Sequence, residues 1–157
     1  MPAMTQQIHS NYKEYIISTD KWLMHPEMIH DWLSKNAYWC KGIPFEIVNA
    51  AFQNSFCIAA FYGNDQVAYG RLITDYCTFA YLADVFVLEE HRGKGLGKKM
   101  MQLLFDLDWV KSLRRIMLAT RDAHELYKQV GFTELKNPDR IMEIVRPDIY
   151  QKELSGS

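Results

Sequence analysis

A glycine-rich segment with flanking cations is the feature of this sequence best suited to chemistry. The segment consists of Arg92, Gly93, Lys94, Gly95, Leu96 and Gly97, and Lys98 and Lys99 follow it. The segment lies between a predicted strand and a predicted helix. Glycines at such a junction allow positive φ angles and a close approach of the backbone to a ligand. The helix start adds unpaired amide protons and the positive end of a dipole, so the segment predicts a site for phosphate oxygens.

Two common phosphate-binding motifs do not fit this segment. A Walker loop, G-x-x-x-x-G-K-[ST], fails at both ends, because Arg92 stands at its first glycine position and Lys99 at its hydroxyl position. A dinucleotide fingerprint, G-x-G-x-x-G, fits Gly93 and Gly95 but has Lys98 at the third glycine position. The remaining interpretation is the pyrophosphate loop of a protein that binds coenzyme A.

The segment from Val85 to Gly97 resembles the signature of the GNAT N-acetyltransferase superfamily, whose loop reads R/Q-x-x-G-x-G/A. A second signature of that family, Ala-x-x-Leu-Tyr-x-x-x-Gly-Phe, follows further along, with its residues at Ala123, Leu126, Tyr127, Gly131 and Phe132. The predicted element order matches the family over residues 15–145. The resemblance implies an enzyme that moves the acetyl group of acetyl-CoA to a primary amine, directly and in a ternary complex.

The resemblance also implies where acetyl-CoA binds. In this family the strand corresponding to residues 79–88 carries a bulge and splays from the strand corresponding to residues 115–119. The pantetheine arm lies in the resulting slot and pairs with the strand backbone. Val85, Phe86 and Val87 would supply those main-chain bonds, and the amide of Val87 would polarise the thioester carbonyl. The pyrophosphate would lie on the loop from Arg92 to Gly97.

Tyr127 is the candidate general acid. In the family, a tyrosine at this position protonates the leaving thiolate, and a phenol of ordinary pKa, about 10, can supply that proton. The alternative is a helical aromatic that packs in the core with its hydroxyl at the surface. The family often has an asparagine where this chain has Thr120, so that contact is not carried over. A non-catalytic acyl-CoA sensor on the same fold is the alternative function, and the retained tyrosine favours the enzyme.

Asp84 is the candidate base or counter-ion for the amine. It is the single charged residue in the apolar run at positions 81–87, next to the expected thioester site. A carboxylate there could accept a proton from the attacking alkylammonium or bind it as a cation. An ion pair with Arg71 on the neighbouring strand is an equally good interpretation, and the sequence leaves the two open.

The elements that must position these residues alternate along the chain. Strands are predicted at 15–18, 55–62, 66–74, 79–88, 115–119 and from 131 to near 145. Helices are predicted at 25–36, 44–53, 96–109 and 122–130. A meander followed by a β-α-β unit indicates a mixed α/β (α+β) fold with a mostly antiparallel sheet and helices on its faces. We expect one domain over residues 12–150, with flexible segments at 1–11 and 151–157.

Composition excludes several other classes of protein. The chain has 157 residues, with 18 basic and 19 acidic side chains and a net charge of −1, which removes the electrostatic attraction of a general nucleic-acid or membrane-surface binder. It has no membrane-length apolar run and no signal peptide, so we expect a cytoplasmic protein. Cys40, Cys57 and Cys77 lack C-x-x-C spacing and are expected to be buried free thiols. His25 and His30 lack a third ligand at usable spacing, so no metal is expected.

The acceptor is the part of the reaction about which the sequence says least. Aromatic residues are concentrated in the first third: Tyr12, Tyr15, Trp22, Trp32, Tyr38, Trp39, Phe45 and Phe52. In the resembled family, the first two helices and their loop form the acceptor pocket, and an aromatic lining suits a hydrophobic or cationic amine. For most of these residues, the core or a dimer surface is the better interpretation. We expect a small-molecule amine; a protein acceptor and a homodimer remain open.

Overall fold

The fold is built on one six-stranded sheet, described here from a computed structural model that covers residues 5–151. The strands lie in chain order, and all neighbours are antiparallel except the parallel pair β5–β6. Their bounds are β1 His9–Tyr12, β2 Tyr15–Ser18, β3 Phe56–Tyr62, β4 Asp65–Thr74, β5 Phe79–Val87 and β6 Arg115–Met117. The predicted class, a mostly antiparallel mixed sheet flanked by helices, is confirmed.

Helices cover both faces of the sheet. They are α1 Pro26–Asn36, α2 Phe45–Gln53, α3 Leu96–Phe105, α4 Asp108–Lys111 and α5 His124–Gln129. Side chains of α1 and α2 pack into one apolar cluster, and those of α3, α4 and α5 pack into the other. Strand β3 is therefore apolar on both faces, and its first six residues are buried. Over residues 5–151, no helix is both long and apolar enough to cross a bilayer.

The predicted splay between two strands is present between β5 and β6. Their register holds for only three pairs, from Phe79 with Arg115 to Tyr81 with Met117. Strand β5 continues for six more residues to Val87, whereas β6 ends. Because these residues have no register partner in β6, a wedge opens between the two strands along the second half of β5.

A β-bulge changes the direction of β5 at the start of this wedge. Tyr69 pairs with Phe86 and Arg71 with Ala83, so Gly70 alone opposes two residues, Asp84 and Val85. Asp84 has a φ of 57°, the left-handed region that aspartate tolerates better than most residues. A Cβ on Gly70 would lie 3.3 Å from Cγ2 of Val85, so the bulge leaves little room on the opposing strand.

Two regions differ from the sequence-based expectation. Residues 9–11, expected to be flexible, form most of β1, which pairs with β2 over four residues. The expected last strand is wrong, because no strand lies between residues 131 and 151. Its apolar residues are exposed (Met142 by 94% and Ile144 by 84%), since apolar composition favours a strand but cannot supply a partner for its main chain. The flexible segments expected at residues 1–4 and 152–157 lie outside the described residues.

One predicted helix is also divided. The helix expected over residues 96–109 ends at Phe105, and α4 begins at Asp108. Leu107 adopts an extended backbone with ψ of 136°, which no α-helix can contain, and its side chain is buried in the core. The apolar period continues through the break, so the pattern alone does not reveal it.

The expectation of three buried thiols holds for two cysteines and is wrong for Cys77, which is exposed. Burial raises the pKa of Cys40 to about 12 and also raises the pKa of Cys57. Since the thiolate is the reactive form, we expect a disulfide reagent such as DTNB to label Cys77 quickly and the other two only after unfolding. Stoichiometry of labelling with and without denaturant measures this. Fast labelling of more than one thiol in the native protein would contradict it.

Candidate active site

The end of β5 presents main-chain groups to the wedge. The N–H of Leu88 donates to the carbonyl of Val67 (2.8 Å) on the β4 side. Because successive residues of a strand turn their main-chain groups to opposite edges, the N–H and C=O of Val87 point away from β4, toward the wedge. The Val87 carbonyl accepts a hydrogen bond from Nε of Arg92 (2.9 Å). Phe86 is buried on the face covered by α1 and α2, with its ring stacked on Trp32 at 4.1 Å.

The glycine loop leads into α3, and a 3-10 turn, Glu89–His91, separates the loop from the end of β5. Gly93 and Gly95 have φ angles of 79° and 78°, which a residue with a side chain adopts only with strain. Gly95 is the N-cap of α3, and no side chain caps the helix there. The amides of the first turn therefore have no intrahelical acceptor, and the dipole places positive potential at this end. The side chain of Leu96 is buried beneath them.

The residues of this loop fit a pyrophosphate group. A Cβ on Gly93 would meet nothing within 4 Å, so the backbone there borders open space, whereas a Cβ on Gly97 would contact Val87 at 3.6 Å. The start of α3 therefore lies against the end of β5, with room at position 97 for no more than a small side chain. The loop and the main chain of Val87 form one continuous polar surface beside the wedge.

Lys94, one of the expected cationic residues, turns away from this surface. Its Nζ lies 3.2 Å from Oε1 of Glu14, and this hydrogen bond raises the pKa of Lys94. The partner lies in the turn between β1 and β2, which also supplies hydrogen bonds from Tyr12 and Lys13 to the carbonyl of Lys94. Sequence reasoning missed the contacts of these three residues with the loop, although it listed Tyr12 among the aromatic residues. Separations of about 80 positions along the chain leave no local pattern that could have identified them.

Tyr127 lies in α5 and is 8% exposed. It belongs to the same apolar cluster against which Val85 and Val87 pack. Burial raises the pKa of Tyr127 above its ordinary value, so the phenol stays protonated through the physiological range. The turn at the end of α5 is closed by a hydrogen bond from the N–H of Phe132 to the carbonyl of Tyr127 (3.0 Å), and the two rings meet edge to face. Phe132, of the second sequence signature, thus supports Tyr127.

Thr120 stabilises the entry to α5. Its Oγ1 accepts a hydrogen bond from the N–H of Ala123 (3.0 Å), within the turn that leads into the helix. The threonine that stands where the family often has asparagine therefore accepts a main-chain hydrogen bond.

Asp84 lies at the bulge, in an ion pair with Arg71. Nε of Arg71 donates to Oδ2 of Asp84 (2.7 Å), and both side chains are less than one-fifth exposed. The other carboxylate oxygen accepts a hydrogen bond from the indole N–H of Trp39 (3.0 Å). Nη1 of Arg71 also donates to the hydroxyl of Ser55 (3.0 Å). The ion pair, which the sequence left open, is thus present, and both oxygens of Asp84 accept hydrogen bonds.

The loop between α1 and α2 connects the two sides of the wedge. Trp39 reaches Asp84 on β5, whereas Tyr38 lies under the guanidinium of Arg121, at 4.0 Å from the ring centroid. Arg121 follows β6. Tyr38 and Trp39 are both about half exposed. Of the other aromatics in the first third, Tyr15 and Phe52 are in the core, while Trp22 is 96% exposed.

No group of three His, Cys, Asp or Glu side chains able to hold a metal ion occurs within residues 5–151.

Comparison with known proteins finds similarity to acetyltransferases of one family. The model of the acetyltransferase (GNAT) family matches residues 26–132. A candidate acetyltransferase from Gibberella zeae is 32% identical over 147 residues, covering 80% of this chain and 83% of that protein. The crystal structure of a candidate GNAT acetyltransferase from Xanthomonas campestris pv. campestris is 44% identical, with a TM-score of 0.84 over 87% of this chain and 96% of that one. Thialysine N-epsilon-acetyltransferase from Bos taurus is 32% identical over 77 residues, 44% of this chain and 45% of that protein.

Proposed function

The chain belongs to the acetyltransferase (GNAT) family, and we propose that it transfers an acetyl group from acetyl-CoA directly to a primary amine of a small molecule, in a ternary complex. One observation carries the proposal: the main chain of Val87 faces the wedge, the glycine-rich start of α3 follows the same strand, and Tyr127 belongs to the apolar cluster against which Val85 and Val87 pack. These are the groups that an acyl transfer from a thioester needs for binding, charge stabilisation and proton donation.

Backbone groups bind the donor. The first turn of α3 and the glycines before it hold the pyrophosphate, and the main chain of Val85 and Val87 pairs with the pantetheine arm as an added strand would. Phe86 lies between them, with its main chain turned to β4, where it pairs with Tyr69, and its side chain buried on the face covered by α1 and α2. Arg92 is exposed beside this surface and keeps Nε on the carbonyl of Val87. Its remaining guanidinium N–H groups add positive charge near the phosphates.

The amide of Val87 stabilises the charge that develops on the thioester oxygen. When the amine attacks the carbonyl carbon, the C=O bond becomes a C–O⁻ bond, and an N–H already aimed into the wedge needs no reorganisation to bind it. The ammonium gives one proton to water before it attacks, and the positively charged nitrogen gives a second proton to water afterwards. Collapse of the species then re-forms the C=O bond and breaks the C–S bond. Tyr127 then gives its phenolic proton to the departing sulfur, and the raised pKa keeps that proton available.

Asp84 acts on the acceptor as a counter-ion for its ammonium group. Its two oxygens already accept hydrogen bonds from Arg71 and Trp39, so the geometry favours holding an ammonium group near the wedge over removing a proton from it. The exposed rings of Tyr38 and Trp39 add surfaces for a cation, and the guanidinium already over Tyr38 supports this use. The activity named for the bovine relative, on the side-chain amine of an amino acid analogue, fits this acceptor class.

Replacing Asp84 by asparagine tests that role. Because one partner of a largely buried ion pair is neutralised, we expect the free energy of unfolding to fall by about 3 kcal/mol. The apparent KM for the amine should rise, while the thermal shift caused by acetyl-CoA persists. Melting and kinetics on the same preparation separate the two effects. Asp31→Asn, which removes an exposed ion pair with Lys35, is the matched control. It should change the free energy of unfolding and the KM for the amine very little. An unchanged KM for the amine would leave Asp84 with a structural role alone.

A screen of amines identifies the acceptor and tests the function itself. The wild-type protein is incubated with acetyl-CoA and panels of polyamines, amino acids with side-chain amines, and aromatic amines. Released CoA thiol and an acetylated product, detected by mass spectrometry, report turnover. Because Cys77 is exposed, the background from protein thiol is subtracted with a sample that lacks the amine. Binding of acetyl-CoA with no turnover on any amine would favour the acyl-CoA sensor instead.

A further inference from the structure

We propose that the β1–β2 hairpin positions the glycine loop for its phosphate ligand, and that Tyr12 is the main positioning residue. The inference rests on the proposed function for the identity of that ligand. The hairpin joins Tyr12 to Tyr15 through the two-residue turn Lys13–Glu14. Lys13 has a φ of 52°, so the turn holds a residue with a side chain in the left-handed region.

Two donors of the hairpin converge on one carbonyl of the loop. The hydroxyl of Tyr12 donates to the carbonyl oxygen of Lys94 (2.9 Å), and Nζ of Lys13 donates to the same oxygen (2.8 Å). A carbonyl has two lone pairs, so both acceptor sites are used. The hairpin therefore fixes the orientation of this peptide group, since rotating it would break both bonds.

Fixing that carbonyl also aims an amide. The peptide bond between Lys94 and Gly95 is trans, as no cis bond occurs in the described chain. In a trans peptide, the N–H and C=O of the same planar group point in opposite directions. With the Lys94 oxygen held on the hairpin, the N–H of Gly95 points away from the hairpin. The same contacts turn the negative end of the peptide dipole away from the phosphate surface at the start of α3.

The charged side chains of the hairpin turn bind groups of the loop. The ammonium of Lys13 lies on the Lys94 carbonyl, and the carboxylate of Glu14 pairs with the ammonium of Lys94. On the N-terminal side of the loop, the hydroxyl of Tyr15 and Nδ1 of His91 share a hydrogen bond (2.8 Å). The hairpin thus contacts both the entrance and the middle of the loop, and it orders the site without offering its own cations to the phosphates.

The close approach of Tyr12 also explains the glycine at position 95. A Cβ there would lie 2.8 Å from Oη of Tyr12, nearer than real Cβ contacts allow. Gly93 has nearly the same φ, yet a Cβ there would meet nothing. Position 95 therefore has two requirements, a left-handed backbone and room for the hairpin.

The test compares two ligands that differ in phosphate content. Tyr12→Phe keeps the ring and removes one hydrogen bond, so we expect the Kd for CoA to rise about 3- to 10-fold. The Kd for pantetheine, which lacks the pyrophosphate, should stay the same. Titration calorimetry measures the first and ligand-observed NMR the second. Tyr76→Phe is the matched control, because the ring of Tyr76 packs on Phe56 and Trp109 and its hydroxyl has no partner among residues 5–151.

Each outcome decides for or against the inference. An equal loss for both ligands would indicate general destabilisation, and no loss for CoA would show that the hydroxyl has no positioning role; either result overturns it. If the wild-type protein binds no CoA at all, the proposed function fails and this inference fails with it.

A second comparison uses the close contact itself. Removing Oη should relieve part of the clash in Gly95→Ala, so the double variant should lose less affinity for CoA than the product of the two single losses. If the loss of CoA affinity in the double variant equals the product of the two single losses, the contact between Tyr12 and position 95 does not affect binding, and the inference is overturned.

Discussion

Replacing Tyr127 by phenylalanine should lower kcat by about 10²- to 10⁴-fold, with little change in the affinity for acetyl-CoA. The range is that of general acid catalysis, and the variant keeps the ring that packs against Phe132. Because burial raises the pKa of Tyr127 above its ordinary value of about 10, loss of the phenolic proton should lower the wild-type kcat only at pH values above about 10. The variant should lack this decline, because the group that must stay protonated is gone.

A packing variant provides the control for this experiment. Phe132→Leu alters the ring contact with Tyr127 and leaves the phenol, so we expect a lower melting temperature with kcat within about threefold of the wild type. Steady-state kinetics across pH, with acetyl-CoA binding measured on the same samples, distinguish the two. If kcat of Tyr127→Phe falls by less than about threefold and the pH profile is unchanged, Tyr127 is not the general acid. A large fall together with lost binding would indicate that Tyr127 positions the sulfur instead.

Replacing Gly95 by glutamate should abolish the binding of acetyl-CoA. The new side chain would meet Oη of Tyr12 at its Cβ, would strain a backbone with φ of 78°, and would bring a negative charge to the phosphate surface. For the wild type, acetyl-CoA at 100 times its Kd should stabilise the fold by about 2.7 kcal/mol, seen as a higher melting temperature. The variant should show no such rise. If acetyl-CoA still raises the melting temperature of the variant, the loop is not part of the acetyl-CoA site.

A pair of alanine variants separates the close contact from backbone strain and charge. Gly93→Ala and Gly95→Ala incur nearly the same cost, about 1–2 kcal/mol for a left-handed backbone, and neither adds a charge. Only Gly95→Ala meets the hairpin, so its loss of CoA affinity should be the larger. Equal losses would mean that strain alone explains the requirement for glycine at position 95.

The sequence by itself determined the fold class, the family and the backbone part of the site. Gly93 and Gly95 can be identified because glycine is the residue type that adopts a positive φ without strain, and both have one in the structure. The periods of β2 to β6, α1 and α2 are local properties, so their predicted positions agree with the structure to within about two residues. Tyr127 was identified by the resemblance of the segment from Ala123 to Phe132 to the family's second signature, and a hydrogen bond at the end of α5 joins two residues of that signature.

Tertiary structure decided whatever depends on partners distant in the chain. Whether Asp84 pairs with Arg71 depends on the register of β4 and β5 around the bulge, which two isolated strand patterns do not specify. The apolar residues near 141–145 favour a strand, but a strand needs a neighbour for its main chain, and none lies beside them in the described chain. The commitment of Lys94 to Glu14, and of its carbonyl to Tyr12 and Lys13, arises only when β1 folds beside β2, since hydrogen bonds across some 80 residues leave no trace in local composition.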